Sequence, residues 1–146
     1  MYINERFIIE EGKEDSFADR LEKKIKDFLN NDTRFSKYNF EVDVYYDWEC
    51  YNAKTNCMWH SLNIVIRNLS LTQTNKKYGE VVPTTVFEFT TDGYEPQLVC
   101  VNGEFKFFHV FSFGSSSLTN PVTFQNNCDD GIFENIIEEE VFNNNK

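Results

Sequence analysis

The stretch from Phe40 to Cys50 alternates apolar and polar side chains without a break. A period of two is typical of a strand with one buried face and one wet face, as in an antiparallel sheet. The inward set is Phe40, Val42, Val44, Tyr46, Trp48 and Cys50, and the outward set is Glu41, Asp43, Tyr45, Asp47 and Glu49. Such a strand restricts the fold to a sheet that another layer covers on one side.

An amphipathic helix over residues 16–30 is predicted to supply that layer. Its apolar residues recur at helical spacing, and the residues concerned are Phe17, Leu21, Ile25, Phe28 and Leu29. Ser16 and Asp19 resemble a capping box and predict the start of the helix. A second, short helix is predicted near the C-terminus, capped by Asp129 or Asp130, and it would use Ile132, Phe133, Ile136, Ile137 and Val141.

Further strands are predicted at residues 2–10 and 59–67, and the clearest register is at Asn102-Gly103. This dipeptide favours a two-residue hairpin turn, because both positions tolerate positive φ. The turn pairs Cys100 with Phe105 and Leu98 with Phe107, all on one face. A second tight turn at Asp92-Gly93 would pair Phe87 with Leu98 and Phe89 with Pro96, with a bulge or a longer loop near Pro96 because proline cannot donate to the ladder.

The ribbon FKFFHVFSF, residues 105–113, places Phe105, Phe107, His109, Phe111 and Phe113 on one face. An aromatic platform that stacks nucleic-acid bases would need nearby cations, and Lys106 is the one base within the ribbon. We therefore interpret the ribbon as part of the core beneath the helix.

These patterns predict an α+β fold: a mainly antiparallel sheet of about five or six strands packed against one N-terminal helix, with a short C-terminal helix. The 146 residues suit a single domain, 1–146, with a flexible tail at 143–146. A chain of this length can bury about two thirds of the surface that its unfolded form exposes.

The formal net charge of the chain is -10. Such a surface disfavours direct nucleic-acid binding, which depends on Lys and Arg neutralising phosphates, and it attracts basic partners. Two acidic stretches are candidate partner contacts. One is the outward row Glu41, Asp43, Tyr45, Asp47 and Glu49, and the other is the C-terminal set Glu134, Glu138, Glu139 and Glu140. The alternative for the first row is a solvated sheet face that protects an edge from aggregation.

Sequence patterns for catalysis and metal binding are weak. Cys50, Cys57, His60 and Cys128 could bind zinc, but structural sites normally use shorter Cys-x2-4-Cys spacings, so free thiols are favoured. His60 and His109 both fall on predicted inner faces, which favours core histidines over a general base. We expect no cofactor, no metal and no catalytic residue.

We therefore interpret the chain as a small acidic binding or inhibitor protein, such as an immunity protein or a phage-encoded inhibitor that imitates nucleic acid. It would be cytoplasmic, in a cell or an infected host, with a basic protein partner, no membrane contact, and a homodimer left open. Two alternatives remain. One is a viral or phage assembly protein, and the other is a small enzyme or ligand carrier whose pocket holds Tyr46, Trp48, His60 and His109.

Overall fold

The computed structural model describes residues 6–49, 58–74, 79, 81–118 and 130–144. One antiparallel sheet of five strands has the order β1-β5-β4-β3-β2. The elements in chain order are β1 Arg6–Glu10, α1 Glu14–Asn31, β2 Phe40–Glu49, β3 Met58–Thr74, β4 Val81–Val101, β5 Glu104–Leu118 and α2 Asp130–Asn144. The α+β class, the antiparallel pairing and the two terminal helices are confirmed.

The core lies between the sheet and the two helices. The stripe Phe17, Leu21, Ile25 and Leu29 of α1 is fully buried, as the helical spacing predicts. It packs with the inward residues of the strands and with the apolar side of α2; these residues are Phe7, Ile9, Val42, Leu62, Ile64, Ile66, Phe87, Phe89, Phe111, Phe133, Ile137 and Val141. One layer of helices therefore covers one face of the sheet.

The start of α1 differs from the prediction. The helix begins at Glu14, and its N-cap is Lys13, which makes no side-chain capping bond. The Ser16 hydroxyl donates to the Lys13 carbonyl oxygen (3.0 Å), so the predicted role of Ser16 as a cap is wrong. Both carboxylate oxygens of Glu14 instead accept the backbone N–H of Gly12 at 2.9 Å. Glu14, the first residue of the helix, therefore binds the backbone that leads into the helix, and no side chain caps the helix itself.

The hairpin at Asn102-Gly103 is confirmed in turn position and register. Asn102 and Gly103 have φ of 51° and 83°, as a primed two-residue turn requires. Leu98 pairs with Phe107 and Cys100 with Phe105. The bulge expected near Pro96 is also present, as a register shift between Tyr94 and Gln97.

The Gly103→Ala substitution is expected to destabilise this hairpin by about 1 kcal/mol, because alanine at positive φ is strained. A Cβ at Gly103 would meet no atom within 4 Å, so the cost is conformational rather than steric. Amide hydrogen exchange at Val101 and Glu104 should accelerate about fivefold. Gly79→Ala is the matched control, with φ of 70° and equally open space, and it should leave these two amides unchanged.

The predicted turn at Asp92-Gly93 is wrong. β4 runs without interruption from Val81 to Val101, and Gly93 pairs with Phe111 inside the β4–β5 ladder. Phe87 pairs with Leu118 and Phe89 with Ser116, in place of Leu98 and Pro96. The physical reason is that β5 is long enough to accompany β4 along most of its length, which satisfies backbone groups that a turn would leave to solvent.

The interpretation of the ribbon 105–113 as core is correct for some of its residues and wrong for others. Phe111 and His109 are buried, whereas Phe105 is 70% exposed and Phe107 is 46% exposed. Their partner Leu98 is 55% exposed. The side chain of Phe113 lies outside the described residues. The helical layer ends close to the β1–α1 turn, where the Glu11 N–H donates to the Phe107 carbonyl oxygen, and the hairpin continues beyond it.

Candidate interaction surface

The sheet has one face without helices, and the part of it that β2, β3 and β4 provide holds most of its described carboxylates. Direct pairing places Asp43, Val65 and Glu88 in one row across these three strands. Tyr45, Asn63 and Thr90 form the next row. These residues alternate with the buried set, so they point away from the helices. We call this surface the acidic sheet face, and its members are Glu41, Asp43, Tyr45, Asp47, Ser61, Asn63, Val65, Arg67, Glu88 and Thr90.

Arg67 links the first two carboxylates of the row on β2. One guanidinium nitrogen, Nη1, donates to Glu41 Oε1 at 2.8 Å and to Asp43 Oδ2 at 2.7 Å. These hydrogen bonds, led by the one to Asp43, raise the pKa of Arg67 above its usual value despite partial burial. Arg67 is therefore a permanent cation, and it neutralises one of the two carboxylates that it contacts.

Asp47 is held by neutral donors. Its Oδ2 accepts Asn63 Nδ2 at 3.1 Å and Ser61 Oγ at 3.4 Å. Asn63 in turn donates to Ser61 Oγ at 2.9 Å and accepts the Thr90 hydroxyl at 2.9 Å. These neutral donors hold the Asp47 carboxylate at one place on the sheet.

Glu88 belongs to the acidic sheet face, and the sequence interpretation missed it. It is exposed on β4 between the buried Phe87 and Phe89. Strict alternation in the stretch 87–89 was a signal that could have identified it, because a polar residue between two core aromatics must point outward. With Glu88, the described part of this face holds four carboxylates and one guanidinium.

The structure separates the two sets of acids that the sequence singled out. α2 lies on the helical layer, where it contacts α1 and β5, on the opposite side of the sheet from the β2 row. Glu140 is buried and accepts Arg20 Nε at 2.7 Å, and Lys24 Nζ lies 2.9 Å from its other oxygen. Glu139 is exposed and lies 4.0 Å from Lys24, while Glu134 and Glu138 are half-buried. Glu49 lies at the end of β2, and its side chain is outside the described residues.

Burial raises the pKa of Glu140, but hydrogen bonds from Arg20 and Lys24 outweigh that effect and leave it below the usual value. The hydrogen bond to Glu140 correspondingly raises the pKa of Lys24. Glu140 is thus an ionised internal link between α1 and α2, engaged with two cations of its own chain.

Two of the residues proposed for a catalytic or ligand pocket, Tyr46 and His109, have described side chains, and both contact Glu14. His109 Nε2 lies 3.0 Å from Glu14 Oε1, and both side chains are about nine-tenths buried. The Tyr46 hydroxyl donates to the Glu14 carbonyl oxygen at 3.0 Å. Burial, with the nearby charge of Glu14, raises the pKa of Tyr46. These contacts tie the start of α1 to β2 and β5. The side chains of Trp48 and His60 lie outside the described residues.

Groups of metal ligands and membrane-spanning helices are absent from the part of the chain that the structure describes. That part holds no group of three His, Cys, Asp or Glu side chains placed to bind a metal ion. Cys50, Cys57 and Cys128, the thiols considered for zinc, lie outside it, and Cys100 is an exposed free thiol. None of its helices is both long and apolar enough to cross a membrane.

No protein-family model, no curated protein sequence and no solved structure matches this chain.

Proposed function

We propose that this protein is a non-enzymatic binding protein that engages a basic macromolecular partner through the acidic sheet face. The observation that carries the proposal is the one-sided covering of the sheet. The helices bury one face, and on the other the acidic sheet face carries Glu41, Asp43, Asp47 and Glu88 with Arg67 as its one cation, while the Glu10–Lys106 ion pair lies farther along the same side on β1 and β5.

The hydrogen bonds on this surface support a binding role. Arg67, Asn63 and Ser61 hold three of the carboxylates in place before any partner arrives. Groups that are already ordered lose less conformational freedom on binding, so more of the contact energy appears as affinity. Exposed carboxylates of one sign also steer a basic partner and make association fast and sensitive to salt. Tyr45, 44% exposed within the row, offers an aromatic contact of the kind that is enriched at interfaces.

The chemistry of the surface indicates a basic protein rather than a nucleic acid, because carboxylates repel phosphates. Alternate residues on a strand are about 6.7 Å apart, roughly twice the axial rise per phosphate of one DNA strand. The row on β2 therefore imitates a sparse version of a phosphate backbone. An immunity protein, or a phage-encoded inhibitor of a nucleic-acid-binding enzyme, fits this surface.

Neutralising the acidic sheet face should weaken capture of a basic partner at least tenfold. The variant is Glu41→Gln, Asp43→Asn, Asp47→Asn and Glu88→Gln combined, compared with wild type by affinity capture from host lysate at low and high salt. The matched control removes four exposed acids on the helical layer, Asp15→Asn, Asp19→Asn, Asp27→Asn and Glu139→Gln, and has the same net charge.

We expect wild type and control to retain a defined basic protein that elutes with salt, and the sheet-face variant to lose it. Equal capture by both variants would show that net charge alone attracts the partner. Absence of any salt-eluted basic protein from the wild type would contradict the proposal.

A further inference from the structure

The tip of the β4–β5 hairpin leaves the sheet as a separate ribbon. On one side the β3–β4 ladder ends at the pair Asn63 and Thr90, and the Thr91 hydroxyl accepts the next free amide, Leu62 N–H, at 3.0 Å. On the other side the β1–β5 ladder ends at Glu10 and Phe108. We call the end of the hairpin, residues 97–108, the hairpin arm; at its base Phe108 pairs with Glu10 and the Phe107 carbonyl oxygen accepts the Glu11 N–H.

The hairpin arm exposes apolar side chains on both of its faces. Leu98, Phe105 and Phe107 project from the face that continues the core, and Val99 and Val101 from the other; their exposed fractions are 55%, 70%, 46%, 40% and 36%. Cys100, whose thiol is exposed, pairs with Phe105 and projects from the same face as Phe105. An isolated two-stranded hairpin is marginally stable in water, and exposed apolar strands are templates for association. The patch on the core-side face, formed by Leu98, Cys100, Phe105 and Phe107, is of the kind that marks an interaction site.

The hairpin arm differs from the acidic sheet face in net charge. Residues 97–108 contain one acid, Glu104, and one base, Lys106, so the arm has no net charge while the whole chain has -10. Lys106 Nζ also lies 3.2 Å from Glu10 Oε1 at the base of the arm. A basic partner would gain little here from electrostatics. The occupant that suits the arm is an equally apolar and uncharged strand surface.

We propose that the hairpin arm is a self-association surface, and that its occupant is the arm of a second copy of this chain. A second copy necessarily carries a matching surface, and a two-fold arrangement lets each arm cover the other with the same residues. The acids of the acidic sheet face lie on β2 and in the first half of β4, away from the arm, and at physiological salt their repulsion is screened over about 8 Å.

The area of the arm sets the strength of the dimer. Covering the core-side patch of Leu98, Cys100, Phe105 and Phe107, together with the strand edges beside it, would bury on the order of 500 Å² per copy, which in total reaches the lower limit of specific interfaces, about 1,000 Å². We therefore expect a reversible dimer with a dissociation constant on the order of 10 µM, rather than an obligate one.

Analytical ultracentrifugation of the purified full chain tests the proposal, at concentrations from about 1 to 200 µM that bracket the expected dissociation constant. We expect a monomer–dimer equilibrium that Phe105→Ser with Phe107→Ser weakens at least tenfold. The control pair, Leu69→Ser with Phe142→Ser, replaces exposed apolar residues elsewhere, 37% and 58% exposed, and should leave the equilibrium unchanged. Unchanged denaturation midpoints would show that all variants fold, and in wild type the amides of Val101 and Glu104 should gain protection as concentration rises.

A wild type that stays monomeric at 200 µM, or a dimer that the arm variant leaves intact, would overturn the proposal. Flotation of monomeric wild type with phosphatidylcholine vesicles, lost in the arm variant, would assign the arm to lipid and overturn it as well. The assay contains no basic partner, so its outcome is independent of the binding function proposed for the acidic sheet face.

Discussion

Replacing Phe133 with alanine is expected to lower the free energy of unfolding by about 3–4 kcal/mol. Phe133 is fully buried where α2 meets both α1 and the sheet. Its ring lies edge-on to Phe28, with ring centroids 6.1 Å apart, and 4.8 Å from the ring of Phe87 on β4. Truncation would remove a large apolar surface and leave a cavity that three rigid elements cannot easily close.

Chemical denaturation of the purified chain measures this loss, with Phe142→Ala as the matched control. Phe142 is on the same helix but 58% exposed, so its truncation should cost less than about 1 kcal/mol. A small effect of Phe133→Ala, comparable to that of the control, would show that α2 is peripheral to the core and would contradict the packing described above.

Removing both cations that contact Glu140 is expected to cost about 2–3 kcal/mol. The double variant Arg20→Ala with Lys24→Ala leaves a carboxylate whose side chain is 3% exposed without either cation that now pairs with it. Breaking a buried pair from one side typically costs 3–5 kcal/mol. We expect less because Arg20 and Lys24 are 47% and 39% exposed, and truncating them admits water to the site.

The matched control is Lys23→Ala with Lys26→Ala on the same helix, which makes the same charge change. Their ion pairs with Asp27 and Glu22 are exposed, so the control should cost less than about 1 kcal/mol. Adding Glu140→Gln to the Arg20/Lys24 variant should restore part of the loss, because a neutral amide is cheaper to bury than an unpaired charge. A triple variant no more stable than the double variant would contradict the role assigned to the charge.

The dependence of stability on pH tests whether the charge of Glu140 causes this loss. In wild type the pKa of Glu140 is depressed, so its stabilising contribution is present above the unfolded value of about 4.3 and is lost as pH falls through the folded value. In the Arg20→Ala/Lys24→Ala variant, burial acts without the two cations and should raise the pKa of Glu140. The stability gap between wild type and double variant should therefore narrow as pH falls from 7 to 5. A gap independent of pH over this range would contradict the ion-pair account.

Features governed by local chemistry could be predicted from the sequence. The alternation from Phe40 to Asp47 identified the wet and buried sides of β2, because the pleat has a fixed period. The stripe from Phe17 to Leu29 identified the buried face of α1 for the same reason. Asn102-Gly103 determined a turn and a register together, since few dipeptides adopt positive φ at both positions.

Features that depend on the length and end point of neighbouring elements could not be predicted. Asp92-Gly93 has the chemistry of a turn, but β5 is long enough to keep β4 extended through it. Phe105 has the pattern of a core residue, but the helical layer stops before reaching it. The side chains that pair with Glu140 and Glu14, Arg20 and His109 among them, are distant in sequence, so neither buried carboxylate could be distinguished from an exposed one by spacing alone.

The most direct test of the central claim is the footprint of the captured basic partner on the acidic sheet face. Backbone and side-chain chemical shifts of isotope-labelled protein would be followed by NMR during titration with that partner at low salt. The account predicts that shifts concentrate on Glu41–Asp47, on Ser61–Arg67 and at Glu88, and that they diminish as salt is added. Shifts confined to the helices α1 and α2, with β2 and β3 unchanged, would contradict it.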